Sequence, residues 1–276
     1  MARPRENARS IRFASKASSR VSLALMPIRI RRAIVWMIRK TPQRSLMNVL
    51  AFDTCMAACS AALLSYSPDQ RLFSRFAAMD RGHSEALFPM ITEVMREAGL
   101  GFADLTKIAV TSGPGSFTGV RAGVAAARGL ALGCGAPVVS ATSLEVMAMT
   151  CVEALGEPER REGFLIAHDA RRGELYVQLF GASGKAMSEP ALASLREAAM
   201  LARRPGLATG SGAALVAAEA RDLGETVRAA LPSLLPEARH LADLAATREP
   251  DGRPVSPLYL RAPDAKPQTD KHLARI

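Results

Sequence analysis

The run Gly113-Pro114-Gly115-Ser116-Phe117-Thr118-Gly119-Val120-Arg121-Ala122-Gly123 is the part of the chain best suited to bind a ligand. It follows an apolar strand-like segment and opens a run of small residues with helical character. Gly113, Gly115 and Gly119 allow a tight turn and a close backbone approach. Ser116 or Thr118 is placed to cap the helix, and the free amides of a first helical turn favour an anion such as phosphate. No Gly-Lys-Ser/Thr follows, so the run is not a P-loop, and its glycine spacing is not that of the dinucleotide fingerprint. A tight turn with close helix packing would require the same glycines, so both readings stand.

Two further groups qualify. Asp53 ends an apolar run, where a carboxylate could hold a hydrated Mg²⁺ beside bound phosphates or simply cap a turn with Thr54. Arg171, Arg172 and Glu174 lie in a charged turn, and arginine suits bidentate contacts with carboxylate or phosphate as well as a solvated hairpin tip. Cys55, Cys59, Cys134 and Cys151 form no Cys-x-x-Cys pair and read as buried thiols of a reducing compartment. His83, His168, His240 and His272 have no metal-ligand spacing, so no metal site is expected.

These groups need elements to hold them. Met47–Phe52, Cys59–Tyr66 and Leu72–Ala78 read as strands of an antiparallel meander, with Ser67, Pro68 and Asp69 as a turn. Ser84 is a candidate N-cap, after which Leu87, Met90, Ile91, Val94 and Met95 fall on one helical face. A strand over Lys107–Thr111 leads into the glycine run and a helix through Leu132. There Ala125, Gly129 and Gly133 are four apart and leave one face nearly bare. Glycine in a helix costs about 1 kcal/mol relative to alanine, so a packing or contact reason is expected. A strand over Pro137–Ser140, a helix over Leu144–Leu155 and a boundary at 156–163 follow. The second half predicts a hairpin of Phe164–His168 and Leu175–Phe180, then helices over 191–203, 212–221 and 237–248. Leu207–Thr209 reads as a strand between the first two. Each half opens with strands, meets an Asp and then turns helical, a loose internal echo.

The chain has 276 residues and a net charge of +10. That charge is confined. Residues 1–46 hold twelve basic residues and one acid, net +11, whereas the remainder holds 24 basic and 25 acidic, net −1. A neutral body of 47–155, 156–262 and a polar tail 263–276 thus follows a basic, disordered extension. Its apolar runs Val21–Met26 and Ala33–Ile38 are well short of the roughly 20 residues of a spanning helix, so no membrane segment is expected. The composition also suits a transit peptide or a nucleic-acid arm. A complete strand opening at Met47 favours a dispensable extension translated from an upstream start.

Several runs together resemble the TsaB (YeaZ) family. They are Met47-Asn48-Val49-Leu50-Ala51-Phe52-Asp53-Thr54, His83-Ser84-Glu85, the glycine run through Arg121, Asp169-Ala170-Arg171-Arg172-Gly173-Glu174-Leu175-Tyr176, and Tyr259-Leu260-Arg261. They occur in the family's order and cover nearly all of 47–262. The resemblance implies an actin-like, sugar-kinase-like ATPase fold of two α/β lobes. It also implies a cytoplasmic role in forming threonylcarbamoyladenosine beside the tRNA anticodon, as the dimerisation subunit beside a catalytic TsaD-like paralogue and a TsaE-like ATPase. The TsaD-like paralogue carries an Asn-His-Leu-Glu-Gly-His metal motif. Here the stretch is Thr142-Ser143-Leu144-Glu145-Val146-Met147, with Ser143 and Met147 in the histidine positions, which argues against transferase catalysis.

Pairing in the family runs through helices of the first lobe, so Leu87, Met90, Ile91, Val94, Ala125 and Gly129 are the expected interface. No firmly bound cofactor is expected; ATP or ADP with Mg at a partner interface, contacting Asp53, Gly113, Gly115, Ser116, Thr118 and Gly119, is the alternative left open, and a homodimer is an alternative assembly. Because the body is neutral, tRNA is expected to be reached mainly through partners. A stand-alone ATPase or phosphotransferase is the competing expectation, and RNA binding through the basic arm is a third.

Overall fold

The computed structural model describes residues 47–66 and 69–261. The expectations for 1–46, for the turn at Ser67 and Pro68, and for the tail lie outside the described residues.

The apolar run β1 (Met47–Asp53) forms the centre of the first sheet, bonded antiparallel to β2 (Ala58–Tyr66) and parallel to β4 (Lys107–Thr111). A strand paired on both edges and covered on both faces can be apolar at nearly every position, which explains why β1 and β2 lack alternation. The outer strands are β3 (Gln70–Ala78), antiparallel to β2, and β5 (Val138–Ala141), parallel to β4. The order is β3-β2-β1-β4-β5.

The second sheet repeats this plan. β6 (Phe164–Asp169) pairs antiparallel with β7 (Glu174–Phe180), and β7 with β8 (Ala191–Ser194). On its other side β6 is parallel to β9 (Leu207–Thr209), and β9 to β10 (Arg228–Ala230). Its order is β10-β9-β6-β7-β8, the mirror listing of the same arrangement. The echo heard in the sequence is therefore a topological repeat, with Asp53 and Asp169 closing the first strand of each sheet. This is the two-lobed α/β fold that the resemblance implies.

Among the described residues six helices cover the sheets: α1 (His83–Ala98), α2 (Phe117–Cys134), α3 (Ser143–Ala154), α4 (Leu195–Ala202), α5 (Ala213–Asp222) and α6 (Ala238–Thr247). Two of them cross over. From the first half of the chain, α3 places Leu144, Met147 and Cys151 among Phe164, Ile166, Phe180 and Leu207 of the second sheet. From the end of the chain, α6 places Ala238, Leu241, Ala242 and Ala245 on Val49, Ala51, Leu64 and Ala109 of the first. Lys107 is buried beneath the end of α6, donating to the carbonyl oxygens of Ala245 and Arg248 at 2.9 and 2.6 Å.

Some local expectations are corrected. Ser84 does not cap α1, whose N-cap is Gly82 in a left-handed conformation (φ 84°). Residues 191–194 are a strand and not the start of a helix. Pairing with β7 overrides the helical preference of alanine, and a reciprocal Ser194–Glu197 capping box starts α4 only afterwards. β10 was not visible as a strand, because Arg228-Ala229-Ala230 is held by its pairing with β9 and not by its own side chains.

Candidate functional site: an interlobe cleft and an apolar groove

The glycine loop folds inward onto the chain. Ser116 donates its amide to the Cys55 carbonyl oxygen at 2.7 Å, and Thr54 donates its hydroxyl to the Gly119 carbonyl oxygen at 2.7 Å. A Cβ at Gly115 would lie 2.1 Å from the Cys55 oxygen, and one at Gly119 would lie 2.0 Å from the Thr54 oxygen. These two glycines let α2 rest against the β1–β2 turn. Gly113 has φ 105° and would carry its Cβ into the Leu258 carbonyl oxygen at 2.8 Å. Ser116 is the N-cap, accepting from the Gly119 amide at 3.0 Å, and Thr118 is not. Phe117 and Thr118, the first two residues of α2, line the cleft beyond this loop.

That cleft, about 1100 Å³, lies between the two sheets. Its floor includes Cys55–Ala57 and Pro114–Gly119, and its far wall includes His168–Arg171, Tyr176 and Ser211. Arg171 and Arg172 both adopt left-handed backbone (φ 65° and 59°), followed by Gly173 (φ 76°). Asp169 accepts the Arg171 amide at 2.7 Å, and Arg261 donates to the carbonyl oxygens of Ala170 and Arg171 while pairing with Glu174. The strained turn is thus clamped from two sides. The Tyr259 ring lies tilted beside that of Phe117, with centroids 5.1 Å apart, and the Arg121 guanidinium lies over the Phe117 ring, 4.2 Å from its centroid. Ser211 pairs with His168 Nδ1 at 3.2 Å and accepts the Asp169 amide at 2.9 Å. Burial holds the His168 imidazole below its ordinary range.

Asp53 does not reach the cleft. It is fully buried; its Oδ1 accepts from the Thr111 hydroxyl and the Cys55 amide, and its Oδ2 has no partner. Burial pushes its carboxyl up to about 6. A Mg²⁺ ion needs near-octahedral oxygen ligands and keeps several waters. A sealed carboxylate with one oxygen already engaged does not fit that need. The correction to Asp53 is therefore positional: a carboxylate at a strand end lines a cleft only if the loops above leave it open. Here Gly115 and Gly119 let the next loop settle against Cys55 and Thr54, the two residues that follow it.

A second concavity, about 720 Å³, separates α1 from α2. It is almost wholly apolar, with Leu87 and Phe88 on one wall and Ala122, Ala125, Ala126, Gly129, Leu130 and Gly133 on the other. Nothing lies within 4 Å of a Cβ built on Gly129 or Gly133. Phe88 of α1, at the rim, is 48% exposed, and Leu132 of α2 is 90% exposed. The expected interface is thereby corrected in part. Ala125 and Gly129 line the groove, but Ile91 and Val94 are fully buried against the first sheet, Met90 is packed against that same core, and Leu87, though it lines the groove, is almost wholly buried in that core as well. A stripe at helical spacing marks the face a helix turns to its own sheet. The exposed aromatic Phe88, between stripe positions, is the residue sequence reasoning missed. Its signal was a large apolar side chain off the stripe.

No helix among the described residues is long and apolar enough to cross a membrane. Ser143 and Met147 are both fully buried at the start of α3.

The model of the family described as TsaD, tRNA N6-adenosine threonylcarbamoyltransferase, matches residues 77–231. The tRNA threonylcarbamoyladenosine biosynthesis protein TsaB of Escherichia coli is 37% identical over 130 residues, covering 47% of this chain and 53% of that protein. The chain thus spans about half the length of the TsaB proteins it matches. An uncharacterized protein of Mycobacterium tuberculosis is 33% identical over 220 residues, covering 80% of this chain and 94% of its own. Among solved structures, YeaZ from Pseudomonas aeruginosa superposes with a TM-score of 0.65 at 28% identity, over 78% of this chain and 100% of that one.

Proposed function

Since the chain belongs to the TsaB (YeaZ) branch of the TsaD-type family, we propose that it is a non-catalytic subunit for threonylcarbamoyladenosine formation in tRNA. In this reading it pairs with a TsaD-like catalytic paralogue through the α1–α2 groove, works with a TsaE-like ATPase, and meets tRNA mainly through the assembled complex in the cytoplasm. The observation that carries the proposal is the groove itself. Open helical glycines beside an exposed phenylalanine make a poor surface for a lone chain but a good seat for two further helices. The burial of Ser143 and Met147, where a TsaD-like protein would present histidines, supports a subunit without its own metal chemistry.

The test is Gly129→Leu. No neighbour occupies the space above Gly129, so the fold should tolerate the side chain while the groove is filled. Affinity for a TsaD-like partner, measured by calorimetry, should fall roughly ten- to hundredfold, as expected for overpacking at a fitted surface. Unchanged affinity removes the groove from the interface.

One observation favours a second reading, a nucleotide taken by the cleft. Phe117 and Thr118, at the helix N-terminus whose dipole favours an anion, line it, and Arg171 is also in its lining. ATP or ADP is proposed to bind there weakly and to be retained only in the assembly, because Asp53 is too deeply buried to hold its metal ion. Calorimetry of ATP with Mg²⁺ on the isolated chain separates the readings. Tight binding with partner-independent turnover would favour a stand-alone ATPase.

A further inference from the structure

Two aromatic rings stand in contact with water on the wall of the interlobe cleft. Phe117, the first residue of α2, is 45% exposed and Tyr259 is 42% exposed, and both line the cleft. Large rings left half in water inside a concavity form a surface that a ligand can cover. Tyr259 is held on both sides along the chain. Leu258 before it donates its amide to the Ser112 carbonyl oxygen at 2.7 Å. Arg261 after it donates to the carbonyl oxygens of Ala170 and Arg171 at 2.9 and 3.2 Å. One short segment therefore carries an aromatic ring and fixes the left-handed turn from which Arg171 lines the cleft. The guanidinium groups of Arg121, over the Phe117 ring, and of Arg171 have no carboxylate partner among the described residues.

We propose that Phe117, Tyr259 and Arg171 form a seat for one unstacked nucleotide of single-stranded RNA, with its base on the rings and its phosphate on Arg171. Unpaired RNA bases are held by stacking on aromatic side chains, and such a stack tolerates any sequence because every base has a π-face. Arginine supplies the planar fork that suits a phosphate. Two observations favour a strand over a free nucleotide. The rings are half exposed, so a base laid on them leaves the ribose and phosphate on either side free to continue into solvent. Asp80 and Glu85 also line the cleft, where they repel the concentrated charge of a triphosphate more than the single charge of a phosphodiester. The pre-set turn and ring lower the ordering cost of binding. The inference rests on the proposed function for the class of partner, RNA, and adds to it a contact made by this chain itself. It competes with the nucleotide reading for the same cleft.

Anisotropy of a labelled RNA hairpin with an unpaired loop measures binding to the full chain. Excess unlabelled duplex RNA is present, because the net +11 charge of residues 1–46 attracts any RNA. The hairpin should bind through that excess. Tyr259→Ala should weaken it roughly ten- to hundredfold, the loss of one base–aromatic stack, whereas Tyr259→Phe should stay within about twofold of the parent. Arg171→Asn, in which asparagine accepts the left-handed backbone, should weaken binding and lower the slope of log affinity against log salt by about 0.7, one phosphate contact. Should Tyr259→Ala fail to fold, 4-thiouridine in the loop still reads the site: under ultraviolet light it should crosslink the parent chain at the peptide carrying Tyr259 or Phe117. A hairpin held no better than duplex, or held equally by Tyr259→Ala, overturns the proposal. So does ATP whose affinity falls in Tyr259→Ala while that of the hairpin does not, since the seat then belongs to a free nucleotide. Gly129→Leu keeps the two readings apart. Hairpin binding through Tyr259 with partner affinity unchanged by Gly129→Leu removes the groove alone. Partner affinity lost in Gly129→Leu, with hairpin binding indifferent to Tyr259, removes the RNA seat alone.

Discussion

Asp53 is a carboxyl group whose environment sets the direction of a measurable effect. Burial raises its pKa from 3.8 to about 6. Between those values the folded chain retains a proton that the unfolded chain has released. This group's contribution therefore declines as pH rises through about 4 to 6 and is level above it. The full difference is up to about 3 kcal/mol. Glu153 and Glu197, whose pKa values are lowered chiefly by hydrogen bonds from Arg239 and Ser194, act in the opposite sense. The wild-type profile alone would mix these effects. Asp53→Asn isolates one of them: its carbonyl oxygen can still accept from Thr111 and Cys55, and it cannot ionise. The stability of Asp53→Asn relative to the parent, from urea unfolding at several pH values, should improve by up to about 3 kcal/mol between pH 4 and pH 7. A difference that stays flat would mean that the carboxyl is not buried as described. Asp53 was recognisable in the sequence as the polar end of an apolar strand. Its seclusion was not, because the Thr111 hydroxyl that engages it lies 58 positions away and is brought there only by the pairing of β1 with β4.

At the scale of the element, α2 carries glycines of two kinds. Gly119 is pressed against the Thr54 carbonyl oxygen, whereas Gly129 has open space where a side chain would go. Gly119→Ala should destabilise the fold by roughly 2–3 kcal/mol or more, since the atom it meets is backbone and cannot rotate away. Gly129→Ala should instead stabilise the free chain by up to about 1 kcal/mol, the helix-propensity difference. Thermal unfolding of the pair distinguishes a glycine kept for close packing from one that serves the groove. Equal losses for both would contradict the assignment. Both glycines were visible in the sequence, and the interval of four correctly placed Ala125, Gly129 and Gly133 on one face. The sequence could not say which way that face pointed. The same limit explains the helix α1, where Ile91 and Val94 form a true apolar stripe that faces the sheet and leaves the exposed edge to Phe88. Periodicity reports that a helix has two sides, and packing decides which partner each side receives. The short strands β8 and β10 escaped notice for a related reason: alanine-rich segments of three or four residues become strands only when a neighbouring strand is present to pair with them.

For the whole molecule, the exchange of helices between the two sheets is decisive. The chain divides on paper near residue 156, but α3 lies on the second sheet and α6 returns to cover the first. Without α6, the face formed by Val49, Ala51, Leu64 and Ala109 would be open to water, and these residues are fully buried in the intact chain. Leu144, Met147 and Cys151 would lose the second sheet in the same way. Further ties cross the same boundary. Arg248 reaches the Ser140 carbonyl oxygen and Glu145, Leu258 donates its amide to Ser112 at 2.7 Å, and Ser60 accepts the Ala238 amide at 3.0 Å. Each lobe is therefore completed by the other half of the chain, and the halves should unfold together. A fragment of residues 47–155 should fail to form a stable domain. It should bind a hydrophobic dye and show no sharp near-ultraviolet dichroism, whereas residues 47–261 should melt in one transition with coincident probes. A fragment 47–155 that folds cooperatively would mean that α6 is an accessory to the first sheet and not the completion of its core.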